Sequence, residues 1–389
     1  MARILLGWEL GANRGHWVRL SAIARRLAEQ GHEIALAAQR LSGGFELPER
    51  VTQWQAPVWP RLLGSVGPMG GPAPNTMGDI LVRMGLDGED VLPSLIQGWE
   101  AIFAAFRPDV VVADFAPALL CAVRGRCASI IVGSGFDTVP ATLASFPSMT
   151  GQPAAYGEAE ALDRINRGLS QSGRAPLERF PQMFEADRVL PGTFAELDFH
   201  ARWRTGPVVA PSVAHPVGEA GEGEEVFLYA DSSLLRTAPL WDGLVRAALP
   251  TRVYAQGASA AQHTELEKLG LRVERQPIPF AEIARRSRVV MSYGGLGFTS
   301  SALAAGVPSV VVHYDLEKRL NGEAITRLQL GGHVYAGAIQ ADAFATSLRQ
   351  LYQNDSFQRR ARELALSFRE RLYPTQEEMA VQALGELLA

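Results

Sequence analysis

The apolar positions of the chain fall into short continuous runs, separated by longer stretches with helical spacing. Residues 3–6 and 33–38 are compact apolar runs, as in strands buried on both faces. Between them Trp17, Leu20, Ala24, Leu27 and Ala28 recur at three- and four-residue intervals, which places them on one face of a helix. Gly31 ends that helix as a C-cap, and a loop punctuated by Gly7, Gly11 and Gly15 precedes it. Strand, loop, helix and strand in so short a span make a βαβ unit, hence a parallel sheet. Further on, 91–106 reads as a helix and 109–113 as a buried strand with Asp114 just past its end. Residues 129–132 give another strand.

The same rhythm restarts after an acidic, glycine-containing stretch at 219–225. Strands are predicted at 226–230, 252–255, 271–274, 288–292 and 309–312, and helices at 237–248, 261–269, 298–305 and 317–329. A final amphipathic helix spans 375–388. The chain of 389 residues, at about 150 per domain, holds two domains. The fold class is therefore α/β, with two doubly wound Rossmann-like domains. The boundaries predicted are 1–207 for the first domain, 208–225 for a linker, and 226–372 for the second. Residues 373–389 form a C-terminal helix packing back toward the first domain. One stretch resists this pattern. Residues 57–78 hold Pro57, Pro60, Gly64, Gly67, Pro68, Gly70, Gly71, Pro72 and Pro74, and read as a long loop, either functional or a surface insertion.

Composition narrows the function. Hydrophobic residues make up 47% and charged residues 20%, which is ordinary for a globular protein. Lys+Arg number 37 against 41 Asp+Glu, a net charge of −4, so no nucleic-acid partner is expected. Cys121 and Cys127 have no histidine at metal spacing and read as reduced thiols of a cytoplasmic chain. The first apolar run is too short for a signal peptide, and Glu9 interrupts it. No uncharged apolar window of about 18 residues is present, so no transmembrane segment is expected.

The sharpest local signal is Ser292-Tyr293-Gly294-Gly295-Leu296-Gly297-Phe298-Thr299-Ser300-Ser301, between a predicted strand and a helix. Glycines there allow close backbone approach, and a helix N-terminus offers free N–H donors and partial positive charge, which suits phosphate. The same residues would also serve as a plain tight βα turn. A P-loop is excluded because no lysine follows these glycines. The first loop misses Gly-x-Gly-x-x-Gly, and the second strand ends in Gln39-Arg40 rather than an acid, which disfavours a nicotinamide enzyme.

A wider match extends over most of the chain. Tyr293-Gly294-Gly295-Leu296-Gly297, followed by Gly306-Val307-Pro308 and Asn321, resembles the donor signature of family-1-like GT-B glycosyltransferases. This is the superfamily of UDP-glycosyltransferases and of macrolide and antibiotic glycosyltransferases. Gly15-His16-Trp17-Val18-Arg19 resembles the family's opening, 107–114 its Pro-Asp-x-Val-x-x-Asp strand, and Gln276-Pro277-Ile278-Pro279 its base-binding segment. The departures are specific. Tyr293 stands where the family has His, Phe298 displaces a hydroxyl residue, Ser301 replaces a ribose-binding Glu, and Glu317-Lys318 replaces the sugar-reading Asp-Gln.

The resemblance implies an inverting, metal-independent transfer of sugar from a nucleotide donor, UDP or dTDP, to a hydroxyl of a small-molecule or lipid-like acceptor. It implies two domains facing across a cleft, and no cofactor beyond the nucleotide-sugar co-substrate. A non-catalytic nucleotide-sugar binder or partner subunit and a sugar-nucleotide epimerase are the alternatives. In this reading His16 is the general base, with Asp114 orienting it as in a triad; Asp114 also suits the N-cap of the next helix. Gly294, Gly295, Leu296, Gly297, Phe298 and Thr299 hold the diphosphate. Ser232, Pro277, Ile278, Tyr293, Ser301, His313, Glu317 and Lys318 line the nucleotide and sugar. Trp17, Phe136 and Asp137 face the acceptor, and no residue set is assigned to a metal. His200, His215 and His263 lie in polar stretches and read as surface residues.

Overall fold

The structure is a computed structural model that describes residues 1–11, 14–41, 47–63 and 71–389. The chain divides into two units. The first comprises Met1–Gly192, Asp198–Val209 and Pro374–Ala389, and the second Thr193–Leu197 and Ala210–Tyr373.

In the first unit β1 (Arg3–Trp8), α1 (Arg14–Glu29) and β2 (Glu33–Ala38) form the opening βαβ unit. Then follow β3 (Val51–Gln55), α2 (Pro60–Leu63), α3 (Met77–Arg83), α4 (Val91–Phe106) and β4 (Val110–Asp114). The series continues with α5 (Pro117–Val123), β5 (Ala128–Gly133), α6 (Glu158–Gln171) and β6 (Arg188–Pro191). All strands are parallel, in the order β3-β2-β1-β4-β5-β6. The strand order reverses between β1 and β4, so the loops after these two strands open a crevice at the carboxyl edge of the sheet.

The second unit repeats the plan. It runs through β7 (Glu225–Ala230), α7 (Ser232–Leu235), α8 (Ala238–Ala247), β8 (Thr251–Ala255), α9 (Ala260–Lys268) and β9 (Arg272–Glu274). It continues with α10 (Phe280–Arg286), β10 (Ser287–Ser292), α11 (Leu296–Ala305), β11 (Ser309–His313), α12 (Leu316–Arg327) and β12 (Gly331–Tyr335). Helices α13 (Ala341–Gln353) and α14 (Asp355–Arg369) close it. Its parallel sheet has the order β12-β11-β10-β7-β8-β9, with the reversal between β7 and β10. Thr193–Leu197 joins this unit because Phe194 packs on Phe368 at 4.8 Å and Arg371 clamps Glu196 through two 2.9 Å bonds.

Helix α15 (Gln376–Leu388) belongs to the first unit. Ala380, Ala383 and Leu384 enter the core formed by β1, α1 and β5, and buried Gln376 donates to the Gly133 carbonyl at 2.9 Å.

Three strands, β3, β6 and β12, have no counterpart in the sequence reading. All lie at sheet edges, and edge strands lack the continuous apolar run that marks a buried strand. Part of the 57–78 stretch is helical. Thr76 and Asp79 form a capping box that starts α3, while 64–70, with Gly64, Gly67, Pro68 and Gly70, lies outside the described residues. Gly7 is not in a loop: it lies inside β1, where any Cβ would overlap the Leu119 side chain of α5.

The residue that ties the first unit together is Glu9, which the sequence shows only as a break in an apolar run. It directly follows β1 and is 1% exposed. Its carboxylate accepts from Trp59 Nε1 (3.3 Å), Trp99 Nε1 (2.5 Å), and the backbone N–H groups of Ala118 (3.0 Å) and Leu119 (2.8 Å). Helix α5 starts with Pro117 and has Ala116 at its N-cap, a residue with no capping oxygen, so Glu9 caps that helix from another element. Burial pushes the Glu9 carboxyl up to about 7, against N–H donors that all favour the ionised form. Glu9→Ala leaves these donors buried without an acceptor. A loss of more than about 3 kcal/mol in urea unfolding is expected, and a loss below about 1 kcal/mol would show that the donors find other acceptors.

Candidate active site

At the first reversal point β1 and β4 lie side by side, with Trp8 opposite Asp114. His16 stands in the first turn of α1, one turn ahead of Arg19, so the two side chains share a helix face. Both reach Asp114. His16 Nδ1 lies 2.9 Å from Asp114 Oδ1, and Arg19 Nη1 donates to Oδ2 at 2.6 Å. Asp114 is fully buried, and its two oxygens thus serve two different bases. It is the last residue of β4 rather than a helix cap, since Glu9 occupies the N-terminus of α5. His16 likewise lies on a helix and not in the preceding loop, because α1 begins at Arg14.

Burial works against charge on His16, but the Asp114 carboxylate outweighs it. With Asp137 adding to this and Arg19 subtracting, the imidazole is held above its ordinary value. For Asp114 burial also opposes charge, and Arg19 and His16 together hold the carboxyl below the usual carboxylate range. Gly11 has φ +91°, and a Cβ there would overlap His16 Nε2, so only glycine leaves that nitrogen uncovered on this side.

Asp137 lies close by. The ligating atoms of His16, Asp114 and Asp137 are all within 4.8 Å of one another, and Asp137 Oδ1 accepts from Ser134 Oγ at 3.1 Å. The Arg19 guanidinium on Asp114 offsets one of the two carboxylates gathered at His16. Phe136 is half-buried beside Asp137. Trp17, read from sequence as an acceptor contact, is instead a core residue, 4% exposed, packed with the Leu20–Ile23–Leu27 face of α1. His200, read as a surface residue, is fully buried: its Nδ1 meets the Gly135 carbonyl at 2.9 Å, and the Arg204–Asp198 pair closes over the same loop. Burial pushes that imidazole down to about 4, so it stays neutral.

At the second reversal point the loop after β10 leads into α11. Gly294 has φ +90°, and a Cβ would lie 2.5 Å from Val311, so this glycine is required by the fold. Its N–H donates to Ser292 Oγ at 3.1 Å, and Asn321 donates to its carbonyl at 2.9 Å. Gly295 is the N-cap, and Thr299 N–H already bonds the Gly295 carbonyl at 3.0 Å. The N–H groups of Leu296, Gly297 and Phe298 lie in the first turn of α11, where the helix itself supplies no acceptor. The Phe298 ring turns away into a cluster with Phe280 (5.2 Å), Tyr229 (5.5 Å) and Phe227 (6.3 Å). The hydroxyls of Thr299 and Ser300 are buried with no hydrogen-bond partner among the described residues.

Several residues assigned to the donor are occupied otherwise. Ser301 Oγ donates to the Gly297 carbonyl (2.7 Å) and accepts from Ala214 N–H (3.0 Å), so it anchors the 210–214 segment. His313 points its Nε2 at His333 Nδ1, 3.1 Å away on β12, and burial with that neighbour pushes it down to about 4. Lys318 is buried, pairs with Glu317, and lies 3.8 Å from Asp315. Ser232 and Pro277 are exposed and Ile278 is half-buried.

The sequence reading missed Asp231. It caps α7 through Ser233 and Leu234 N–H (3.0 Å each) and accepts from Tyr314 Oη at 2.6 Å. Its place before Ser232-Ser233 was a readable N-cap signal. Burial, with the carboxylates of Asp231, Glu317 and Asp315 adding to it, pushes the Tyr293 hydroxyl up to about 12. Among the described residues no helix is long and apolar enough to cross a membrane.

No family model matches the chain. It is 33% identical over 91 residues to a PGL/p-HBAD biosynthesis glycosyltransferase of Mycobacterium tuberculosis, covering 23% of this chain and 21% of the relative. It is 32% identical over 111 residues to a PGL/p-HBAD biosynthesis rhamnosyltransferase of Mycobacterium bovis, covering 28% of this chain and 25% of the relative. The matched stretch thus spans a quarter or less of these curated relatives. Likeness to solved structures runs over the whole chain. The calicheamicin glycosyltransferase superimposes with a TM-score of 0.69 at 17% identity, over 100% of this chain and 98% of that one. A glycosyltransferase solved in complex with dTDP gives 0.63 at 18% identity, over 99% and 98%. Spinosyn rhamnosyltransferase, solved with its aglycone, gives 0.66 at 15% identity, over 99% and 100%. Two six-stranded parallel sheets with flanking helices, superimposing on these structures end to end, give the chain the GT-B fold.

The dyad geometry has a direct consequence in solution. Asp114→Asn removes the charge that raises the His16 imidazole, while Arg19 remains. The NMR titration midpoint of His16 is therefore expected to fall; an unmoved midpoint would mean that Asp114 does not hold the ring.

Proposed function

We propose that this protein is an inverting, metal-independent glycosyltransferase moving a sugar from a nucleoside diphosphate to the hydroxyl of a small-molecule or lipid-like acceptor. The observation that carries the reading is the 2.9 Å bond between His16 Nδ1 and buried Asp114 at the carboxyl edge of the first sheet. With Nδ1 engaged, Nε2 is the nitrogen that takes the acceptor proton. The freed oxygen attacks the anomeric carbon, the bond from that carbon to the diphosphate breaks, and the configuration inverts. Asp114 stabilises the imidazolium that results, as a triad acid does. Negative charge gathering on the departing diphosphate meets the N–H groups of Leu296, Gly297 and Phe298 and the positive end of the α11 dipole. The names of the relatives support sugar transfer, and the dTDP bound to one structural neighbour supports a dTDP donor.

A second reading is favoured by the crevice of the second unit. Asp231 fills the α7 N-terminus, and Asp315 and Glu317 lie nearby with Lys318 as their counter-ion. Such a lining opposes a diphosphate, and it favours a GT-B protein that serves as a non-catalytic partner subunit.

Calorimetry with UDP-, dTDP- and GDP-sugars, in magnesium and in excess EDTA, separates the two. Binding and turnover of one donor in EDTA are expected; binding of none supports the partner subunit. With that donor, His16→Ala should lose roughly 10²–10⁴-fold in turnover and keep donor affinity. Because the base must be neutral and its pKa is raised, the wild-type rate should climb with pH through a midpoint above 6.5, and Asp114→Asn should shift that limb to lower pH.

The glycines make a second test. A Cβ at Gly297 meets only the Ser212 carbonyl at 3.1 Å, whereas one at Gly294 collides with Val311. Gly297→Val is therefore expected to stay folded by circular dichroism and lose donor affinity, and Gly294→Val to unfold. Wild-type affinity in folded Gly297→Val would remove α11 from the donor site.

A further inference from the structure

Two aromatic rings face the His16 imidazole. Trp8, 5% exposed, lies nearly parallel to it, with centroids 5.2 Å apart and planes 17° apart. Phe115, 8% exposed, is at 6.4 Å and 27°. Both come from residues already placed by the dyad. Trp8 is opposite Asp114 in the sheet register, and Phe115 follows Asp114 directly.

The scaffold around these rings is unusually constrained. Trp8 Nε1 donates to the Leu10 carbonyl at 2.5 Å, which fixes the rotation of the indole. The next residue, Glu9, is held by its indole and backbone donors. Phe115 has φ +45°, a left-handed conformation costly for an aromatic residue, and its carbonyl accepts from Leu10 N–H at 3.1 Å. Strain of this kind persists where surrounding structure holds it, and here it sits beside the candidate base.

We propose that Trp8 is a positioning residue for His16: its indole face fixes the plane of the imidazole against Asp114 and stabilises the ring while it carries the proton taken from the acceptor. This rests on the reading of His16 as the base. The physical ground is the negative face of the indole π-system, which attracts a cation stacked on it. Among the described residues, the charged groups acting on His16 are Asp114 from β4, Asp137 from the segment after β5 and Arg19 from α1 itself. From β1, Trp8 faces it with a quadrupole and no net charge. Its contribution is therefore separable from the carboxylates by substitutions that leave the charge unaltered.

The test uses protein labelled with ¹³C in histidine, with the His16 resonance identified by its loss in His16→Gln. The midpoint is read in wild type, Trp8→Phe and Trp8→Leu, with circular dichroism as the check on folding. The expected order is Trp8 highest, then Phe, then Leu, over a total of about 0.4–1.5 units, since indole binds cations better than benzene and leucine has no π face. Where a donor is turned over, kcat should fall and its acid limb should move to lower pH, with donor KM unchanged. A midpoint that holds or rises in folded Trp8→Leu overturns the proposal, even if the variant melts earlier. Should Trp8→Leu fail to fold, the fall in Trp8→Phe alone decides. The titration needs no substrate, so a wild type that turns over no donor refutes the transferase reading without obscuring this result.

Discussion

A buried carboxylate organises the first unit. Glu9 leaves the end of β1 and, among the described residues, is satisfied by N–H groups: two indoles and two backbone amides at the start of α5. An ion so deep in an apolar layer is tolerated only when its oxygens are matched by donors. That requirement draws α4, α5 and the Trp59 segment onto the carboxyl end of β1. It also fixes where the chain leaves the sheet, and hence where Trp8, Gly11 and His16 lie. Glycine at position 7 completes the arrangement, because it lets Leu119 of α5 close onto the strand.

The two units share a strand order and use their reversal points differently. In the first, one buried acid is shared between a histidine and an arginine, so the charges balance within a single hydrogen-bonded group. The balance keeps the acid ionised and the histidine basic, which is the state a proton acceptor needs. In the second, the loop at the helix N-terminus is braced from outside. Asn321 and Ser292 grip Gly294, and Ser301 grips the 210–214 segment, so polar residues near the expected ligand work as scaffold. The aromatic cluster of Phe298, Tyr229 and Phe280 fills space beside that loop. On the proposed reading, donor chemistry is left chiefly to backbone N–H groups, with Tyr293 standing over Gly295.

Much of this was local and therefore visible in the sequence. Apolar runs placed the inner strands, helical spacing placed α1 and α4, and 33–38 became β2 at those bounds. Gly294 was visible as a turn glycine, and Asp114 as an acid at a strand end. Such features depend on residues a few positions apart, and backbone geometry translates them directly into elements. The edge strands β3, β6 and β12 escaped because their pattern is mixed, whereas the edge strand β9 was read at 271–274.

Tertiary structure alone decided most of the partnerships. The resemblance paired His16 with Asp114, 98 residues away, but Glu9 and Leu119, 110 apart, were joined only by the fold. No pattern in the chain announces that Glu9 would cap α5, that Arg19 would take half of Asp114, or that Trp17 would enter the core while Trp8 faced His16. Those outcomes follow from which side chains meet when the sheet closes, and from the need of each buried charge for a partner of matching geometry.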